Sequence, residues 1–324
     1  MESTDFHIPV PDPRRPGGQL EVAATMHLPT DAVAVDTLLF CVPGGSYARD
    51  YFHVTSSRHA GYSAAQRWTS DGLGVLAIDT LGTGDSSRPA DAPELTLESV
   101  ADAHAAAVAE VRRRLEAGTL APRLAASNAT RIVGVGHSLG GALVLIQQSR
   151  SRSFDAVAVL GFTNLHLENM YVRHEREDEL TADERREWAK EHIPQRSWNR
   201  PWSELEPYFM LPRENLRAWF HAADVPGDLV AEEEARETVI PREVALGSIM
   251  PACTAPYAAT VETPVFLAFG GADVSPAPRA EVATYPLSND ISLVVLPRSG
   301  HCHNYSSDRE LLWTRLASWA AALP

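Results

Sequence analysis

Short apolar runs alternate along the chain with turn signals and with stretches of helical periodicity, the pattern that a mostly parallel α/β sheet requires. The runs at 19–27, 37–42, 74–78, 131–135, 154–160, 265–269 and 291–296 predict strands. The second of them ends abruptly in Pro43, Gly44 and Gly45, and the third closes on Asp79 with the turn Gly82, Thr83 and Gly84. From Thr96 onward Leu97, Val100, His104, Ala107, Val111 and Leu115 recur at helical spacing behind a good N-cap, so a long helix is predicted there. A C-terminal helix is predicted over about 309–322.

Between about 165 and 255 the rhythm breaks. This stretch has no strand-like run, several helical patterns, and prolines at 194, 201, 207, 212, 226, 241 and 251. It reads as a helical cap inserted into an α/β body, which divides the chain into 1–164, 165–255 and 256–324. Thr181 with Glu184 forms a capping box for a helix running to about His192. Four of the seven tryptophans (Trp188, Trp198, Trp202 and Trp219) lie here and are expected mostly to pack the cap onto the body. The segment from Glu168 to Glu243 carries 19 acids and 11 bases, supplying most of the chain's excess charge on a solvated face.

Composition narrows the function. At 324 residues, 44% hydrophobic and 22% charged, the chain is ordinary globular protein, which excludes disordered and fibrous classes. A core of this size buries about three quarters of the unfolded surface, so neither metals nor disulfides are needed to hold it. The three cysteines, Cys41, Cys253 and Cys302, form no framework and no Cys-x-x-Cys spacing, which points to a reducing compartment. No run of about 18 apolar residues and no signal-peptide pattern is present, so a soluble, cytoplasmic protein is expected. A formal charge of -14 repels phosphate backbones and anionic lipid. The expected partner is a small-molecule substrate, without nucleic acid or membrane, and a homodimer is left open.

The candidate chemistry starts at Gly136, His137, Ser138, Leu139 and Gly140, a Gly-x-Ser-x-Gly segment that ends one apolar run and opens the apolar helix from Ala142. Small residues at 136 and 140 allow a turn sharp enough to push Ser138 out above the sheet. The N–H of Leu139 then faces a carbonyl oxygen under attack. A serine hydroxyl needs a base, and after the final strand come Ser299, Gly300, His301, Cys302, His303 and Asn304. His301 is the preferred base; His303, two residues on, would point away in extended backbone. Asp273, at the carboxyl end of the penultimate strand, is the preferred orienting acid, with Glu168 the alternative. The loop after 37–42 should supply a second oxyanion donor from Gly45, with Ser46 as its neighbour. Ser46, Tyr47 and His137 flank these groups as candidate substrate contacts. A metal site from His53, His59, His301 and His303 lacks an acidic or cysteine partner at ligand spacing, so neither metal nor cofactor is expected.

The Pro-Gly-Gly loop at 43–45, the 79–86 turn, the 136–141 elbow, the Asp273 loop and Ser-Gly-His at 299–301 together resemble a serine hydrolase of the α/β-hydrolase fold. The resemblance covers essentially the whole chain. It implies a mostly parallel central sheet with helices on both faces, a cap inserted after the sixth strand, and Ser138, Asp273 and His301 as nucleophile, acid and base. Pro43 departs from the pattern, standing where many members have histidine. The implied activity is hydrolysis of a carboxylic ester or lactone of a bulky, largely apolar substrate. Thioester, carbon-carbon bond or amide hydrolysis, acyl transfer, or catalytically idle ligand binding would use the same architecture.

Overall fold

The computed structural model describes residues 1–12, 14–90, 95–167, 174–176 and 179–324. Two long strands come first, β1 (Glu2–Pro11) and β2 (Gln19–Leu28), paired antiparallel along their full length. Then follow β3 (Thr37–Val42), α1 (Ala64–Ser70), β4 (Gly74–Ile78), α2 (Leu97–Ala117), β5 (Arg131–His137), α3 (Leu139–Ser151) and β6 (Ala156–Leu160). The segment after β6 carries α4 (Ala182–Ser197), β7 (Tyr208–Phe209), α5 (Arg213–Phe220), α6 (Gly227–Glu234), β8 (Ile240–Pro241), α7 (Arg242–Ile249) and α8 (Ala255–Ala258). The chain closes with β9 (Val265–Gly270), β10 (Ile291–Leu296) and α9 (Arg309–Ala321).

Among the described residues, eight strands form one sheet in the order β1-β2-β4-β3-β5-β6-β9-β10. From β4 to β10 the neighbours are parallel, and the β1–β2 and β2–β4 pairs are antiparallel. The sheet is therefore mostly parallel, as the resemblance implies. Its central strands β3, β4, β6 and β9 are buried throughout, which is why they read as unbroken apolar runs. Alternation sorts their side chains onto two faces. Leu38, Phe40 and Val42 of β3 join α2 and α3 in one core, whereas Leu39 and Cys41 join Trp68 of α1 and Trp313 of α9 in the other.

Helix ends follow the local chemistry. The Thr96 hydroxyl accepts the Ser99 N–H, the Ser99 hydroxyl accepts the Thr96 N–H, and α2 ends on Gly118 at φ 66°. Thr181 and Glu184 form the expected box at the start of α4. The segment after β6 departs from a purely helical reading, because Tyr208–Phe209 and Ile240–Pro241 pair as a two-residue antiparallel ladder. Runs this short carry no periodicity. Ile193, Trp198, Leu205, Phe209 and Val244 of this segment share the core that contains α2 and α3, and its Trp219 and Phe220 carbonyls accept from the backbone of the loop after β10. The three cysteines are free, and no helix among the described residues is long and apolar enough to cross a membrane.

Candidate active site

β5 ends at His137 and α3 begins at Leu139, leaving Ser138 alone to make the turn. It does so at φ 53° and ψ −124°, a conformation that L-residues rarely adopt and that persists only where its surroundings impose it. Here the Ser138 N–H donates to the Leu160 carbonyl (2.8 Å), and the Ser138 carbonyl accepts from the Gly141 N–H (2.8 Å). The flanking glycines leave no room for a side chain. A Cβ on Gly136 would lie 2.2 Å from the Gly140 carbonyl oxygen, and one on Gly140 would lie 2.1 Å from that of Val42.

The half-buried serine meets two other strand ends. Its hydroxyl donates to His301 Nε2 (2.8 Å), and His301 Nδ1–H donates to Asp273 Oδ1 (2.7 Å). Asp273 accepts three further hydrogen bonds, from His303 Nε2–H (2.7 Å) and the Gly270 N–H (2.9 Å) on Oδ2, and from the Val274 N–H (2.7 Å) on Oδ1. Burial alone would push this carboxyl up, but the two imidazoles outweigh it and hold Asp273 well below the usual carboxylate range. His303 thus turns toward the same acid as His301, contrary to the extended-backbone expectation, because the chain enters a 3-10 turn at His303–Tyr305. Glu168 lies outside the described residues.

The His301 loop is clamped from both sides. Its backbone N–H donates to the Trp219 carbonyl (3.0 Å), the Cys302 N–H donates to that of Phe220 (2.8 Å), and the Trp219 ring stacks on the imidazole at 4.7 Å and 5°. From the body side, His137 Nε2–H donates to the His301 carbonyl (2.8 Å). Burial, reinforced by the neighbouring imidazoles, pushes His137 well below the ordinary histidine range and keeps it neutral.

Gly45 and Leu139 sit side by side beside Ser138, a Cβ on Gly45 falling 3.7 Å from a Leu139 methyl carbon. Leu139 opens α3, so its N–H has no partner within the helix, and among the described residues the Gly45 N–H meets no backbone acceptor. Both residues line a cavity together with Ser138 and His301. Its walls are apolar: Phe162, Leu167, Trp198, Leu211, Leu216, Trp219, Phe220, Ile240, Ala245, Ile249 and Val274, with Ser248 as an added hydroxyl. The space is narrow, a cavity of about 60 Å³.

Three residues expected as substrate contacts lie elsewhere in the structure. None of Ser46, Tyr47 and His137 lines this cavity. Ser46 is fully buried and both its oxygens accept from Arg213; the Tyr47 hydroxyl reaches Cys302 Sγ (3.0 Å) instead of the cavity; His137 stacks on Tyr51 (4.5 Å) behind the His301 loop. Sequence proximity to the loop and elbow does not determine which way a side chain turns once the inserted segment brings its own partners. Arg213 and the wall residue Ile240 escaped the sequence reading, and no spacing signal marks them.

One group of metal-ligating side chains occurs among the described residues, His221, Glu233 and Cys302, with ligand atoms within 4.8 Å of one another. Two of its members are engaged elsewhere: Glu233 pairs with Arg213 (2.8 Å), and the Cys302 thiol, pushed up by burial, is hydrogen-bonded to Tyr47.

The sequence model of the Alpha/beta hydrolase family matches residues 39–312, most of the chain. The chain belongs to this family. Solved structures similar to this α/β hydrolase include a thermophilic esterase from Thermogutta terrifontis (14% identity, 99% of each chain covered, TM-score 0.64). An esterase from Exiguobacterium antarcticum is also similar (16% identity, 98% of this chain and 99% of that one, TM-score 0.60), as is a proline iminopeptidase from Mycobacterium smegmatis (16% identity, 98% of each chain, TM-score 0.59). At such identities the likeness of this α/β hydrolase to them is one of fold. No curated protein matches its sequence.

Proposed function

We propose that this α/β hydrolase is a cofactor-independent serine hydrolase acting on carboxylic esters or lactones with a bulky, uncharged, apolar portion. The observation that carries the reading is the unbroken chain from Ser138 Oγ through His301 to Asp273, opening onto a cavity walled by apolar side chains. The stretch 165–255 acts as a cap that supplies most of that wall.

In this mechanism Ser138 Oγ attacks the ester carbonyl as its proton passes to His301 Nε2. The resulting oxyanion is met by the N–H groups of Leu139 and Gly45 and by the N-terminal end of α3. Asp273 holds the His301 Nδ1 proton in place, so Nε2 is the acceptor, and the charge on the carboxylate stabilises the imidazolium. His301 then returns the proton to the leaving alkoxide, the acyl group remains on Ser138, and water activated by the same imidazole releases the acid. The cavity wall has no aspartate, glutamate, lysine or arginine among the described residues, so a charged substituent placed there would lose its hydration without a partner. That favours neutral ligands independently of the chain's negative field.

The test is a panel of neutral aryl and alkyl esters, lactones and thioesters assayed with wild type and Ser138→Ala. Turnover of apolar esters by wild type and its loss by at least about a thousandfold in the variant is the expected result. Equal turnover by the two proteins would end this reading, and a clear preference for thioesters would relocate it within the same chemistry.

A further inference from the structure

Gly44 to Tyr47 form a tight turn, closed by the Tyr47 N–H on the Gly44 carbonyl (3.2 Å), with Ser46 as its third residue at φ 63°. A positive φ at that position defines a turn that ordinarily takes glycine. Serine there is strained and needs to be held. What holds it comes from the inserted segment. Arg213, the first residue of α5 and 2% exposed, donates from Nε to Ser46 Oγ (3.0 Å) and from Nη2 to the Ser46 carbonyl, which also accepts the Thr238 N–H (3.0 Å). Its guanidinium carbon lies 3.8 Å over the Tyr47 ring.

A buried guanidinium is tolerated only when its charge is matched. Glu233 of α6, itself 3% exposed, matches it at 2.8 Å. The inserted segment thus presents an arginine whose charge is matched by Glu233, with Glu237 also 3.7 Å from Nε, and whose remaining donors fit the two oxygens of one strained residue in the body. That residue is the chain neighbour of Gly45. If Ser46 relaxed to negative φ, the peptide between Gly45 and Ser46, which carries the Gly45 carbonyl and the Ser46 N–H, would turn over directly beside the Gly45 amide.

We infer that Arg213 is a positioning residue for the reaction: the cap, through this one side chain, locks the Gly44–Tyr47 turn in the form that offers an amide to the oxyanion. This rests on the serine-hydrolase reading above. Arg213 itself does not line the cavity and contacts no reacting atom. Its effect is confined to the state in which negative charge has formed on the carbonyl oxygen. A side chain that only fastened the cap would instead alter the cavity, and with it substrate affinity.

The experiment compares wild type, Arg213→Ala, Arg213→Lys and Ser138→Ala, each checked for folding by circular dichroism, in hydrolysis of 4-nitrophenyl butyrate and in binding of an alkyl trifluoromethyl ketone. Arg213→Ala is expected to lower kcat by about 10²-fold or more with KM within a few-fold, and to weaken the ketone in parallel. Arg213→Lys keeps a charge beside Glu233 but loses the planar fork, so it should share most of the loss. Millimolar guanidinium chloride should restore Arg213→Ala at least several-fold and leave Ser138→Ala inactive. Should Arg213→Ala fail to fold, the kcat, KM and ketone-affinity criteria apply to Arg213→Lys. Wild-type kcat in the folded variants, or a loss carried by KM with ketone affinity and guanidinium response unchanged, would overturn the assignment. A Ser138→Ala enzyme as active as wild type would instead bring down the hydrolase reading on which it stands.

Discussion

Replacing Asp273 by asparagine isolates what the acid does, because the two carboxylate oxygens have different duties. Oδ1 accepts from His301 Nδ1–H and the Val274 N–H, and Oδ2 accepts from His303 Nε2–H and the Gly270 N–H. An asparagine must turn its NH2 toward one pair, where a backbone N–H already points inward. Either orientation leaves at least one buried donor unmatched, at about 1–3 kcal/mol. With NH2 toward Oδ1's place, His301 must offer a bare Nδ1, so its proton moves to Nε2 and it can no longer accept from Ser138. With NH2 toward Oδ2's place the tautomer survives, but the charge that stabilises the imidazolium is gone. In other Ser-His-Asp triads the same change costs about 10⁴-fold in kcat, equivalent to about 5 kcal/mol of transition-state stabilisation. The expectation here is a loss of that order with KM nearly unchanged, since Asp273 does not line the cavity. Steady-state kinetics on the best ester, beside a thermal melt, measures both. A folded Asp273→Asn enzyme retaining more than about a tenth of wild-type kcat would refute the assignment of Asp273 as the orienting acid.

Other outcomes follow from the same contacts. Gly136→Ala forces a Cβ to 2.2 Å from a backbone oxygen, so the variant should be insoluble or melt many degrees lower, which expression and circular dichroism report. Trp219→Leu removes the ring stacked on His301 and part of the cavity wall, so KM for bulky esters should rise several-fold more than for acetates. Asp273 lies below the usual carboxylate range when folded, so its contribution to stability is present above about pH 4 and is lost as acid titrates the folded state; urea midpoints of wild type and Asp273→Asn should converge as pH falls from about 5 to 2. Glu237 shows the opposite sign: burial, opposed by Arg213 and aided by nearby glutamates, raises it to about 7, so its contribution is present at pH 4 and is lost as pH rises through 7. Glu237→Gln should therefore gain melting temperature relative to wild type at pH 8 compared with pH 5.

The sheet and the elbow were legible because their physics is local. Continuous apolar runs mark strands covered on both faces, and Gly136 and Gly140 are demanded by contacts within the turn itself. Asp273 and His301 were legible from their positions after the last two strands, which the parallel register β6-β9-β10 brings to the same end of the sheet as Ser138. β1 was not legible: Glu2 to Asp5 are polar and exposed, two prolines interrupt the rest, and its pairing with β2 fixes it as an edge. Arg213 was not legible either. In a segment rich in charge its arginine looks like any surface cation, and only folding across 167 positions reveals that it meets Ser46. Likewise nothing in His-Cys-His announces that one carboxylate serves both histidines.

The proposed hydrolysis depends most on Ser138 being an activated nucleophile. A fluorophosphonate reacts with a serine whose proton a neighbouring base can take, forming a P–O bond as fluoride leaves. Intact-mass and peptide-mapping spectrometry of the treated protein should find one adduct, on Ser138, absent from Ser138→Ala and much slower to form in His301→Gln. Wild-type protein that stays unmodified, or an equal adduct on another residue in Ser138→Ala, would contradict it.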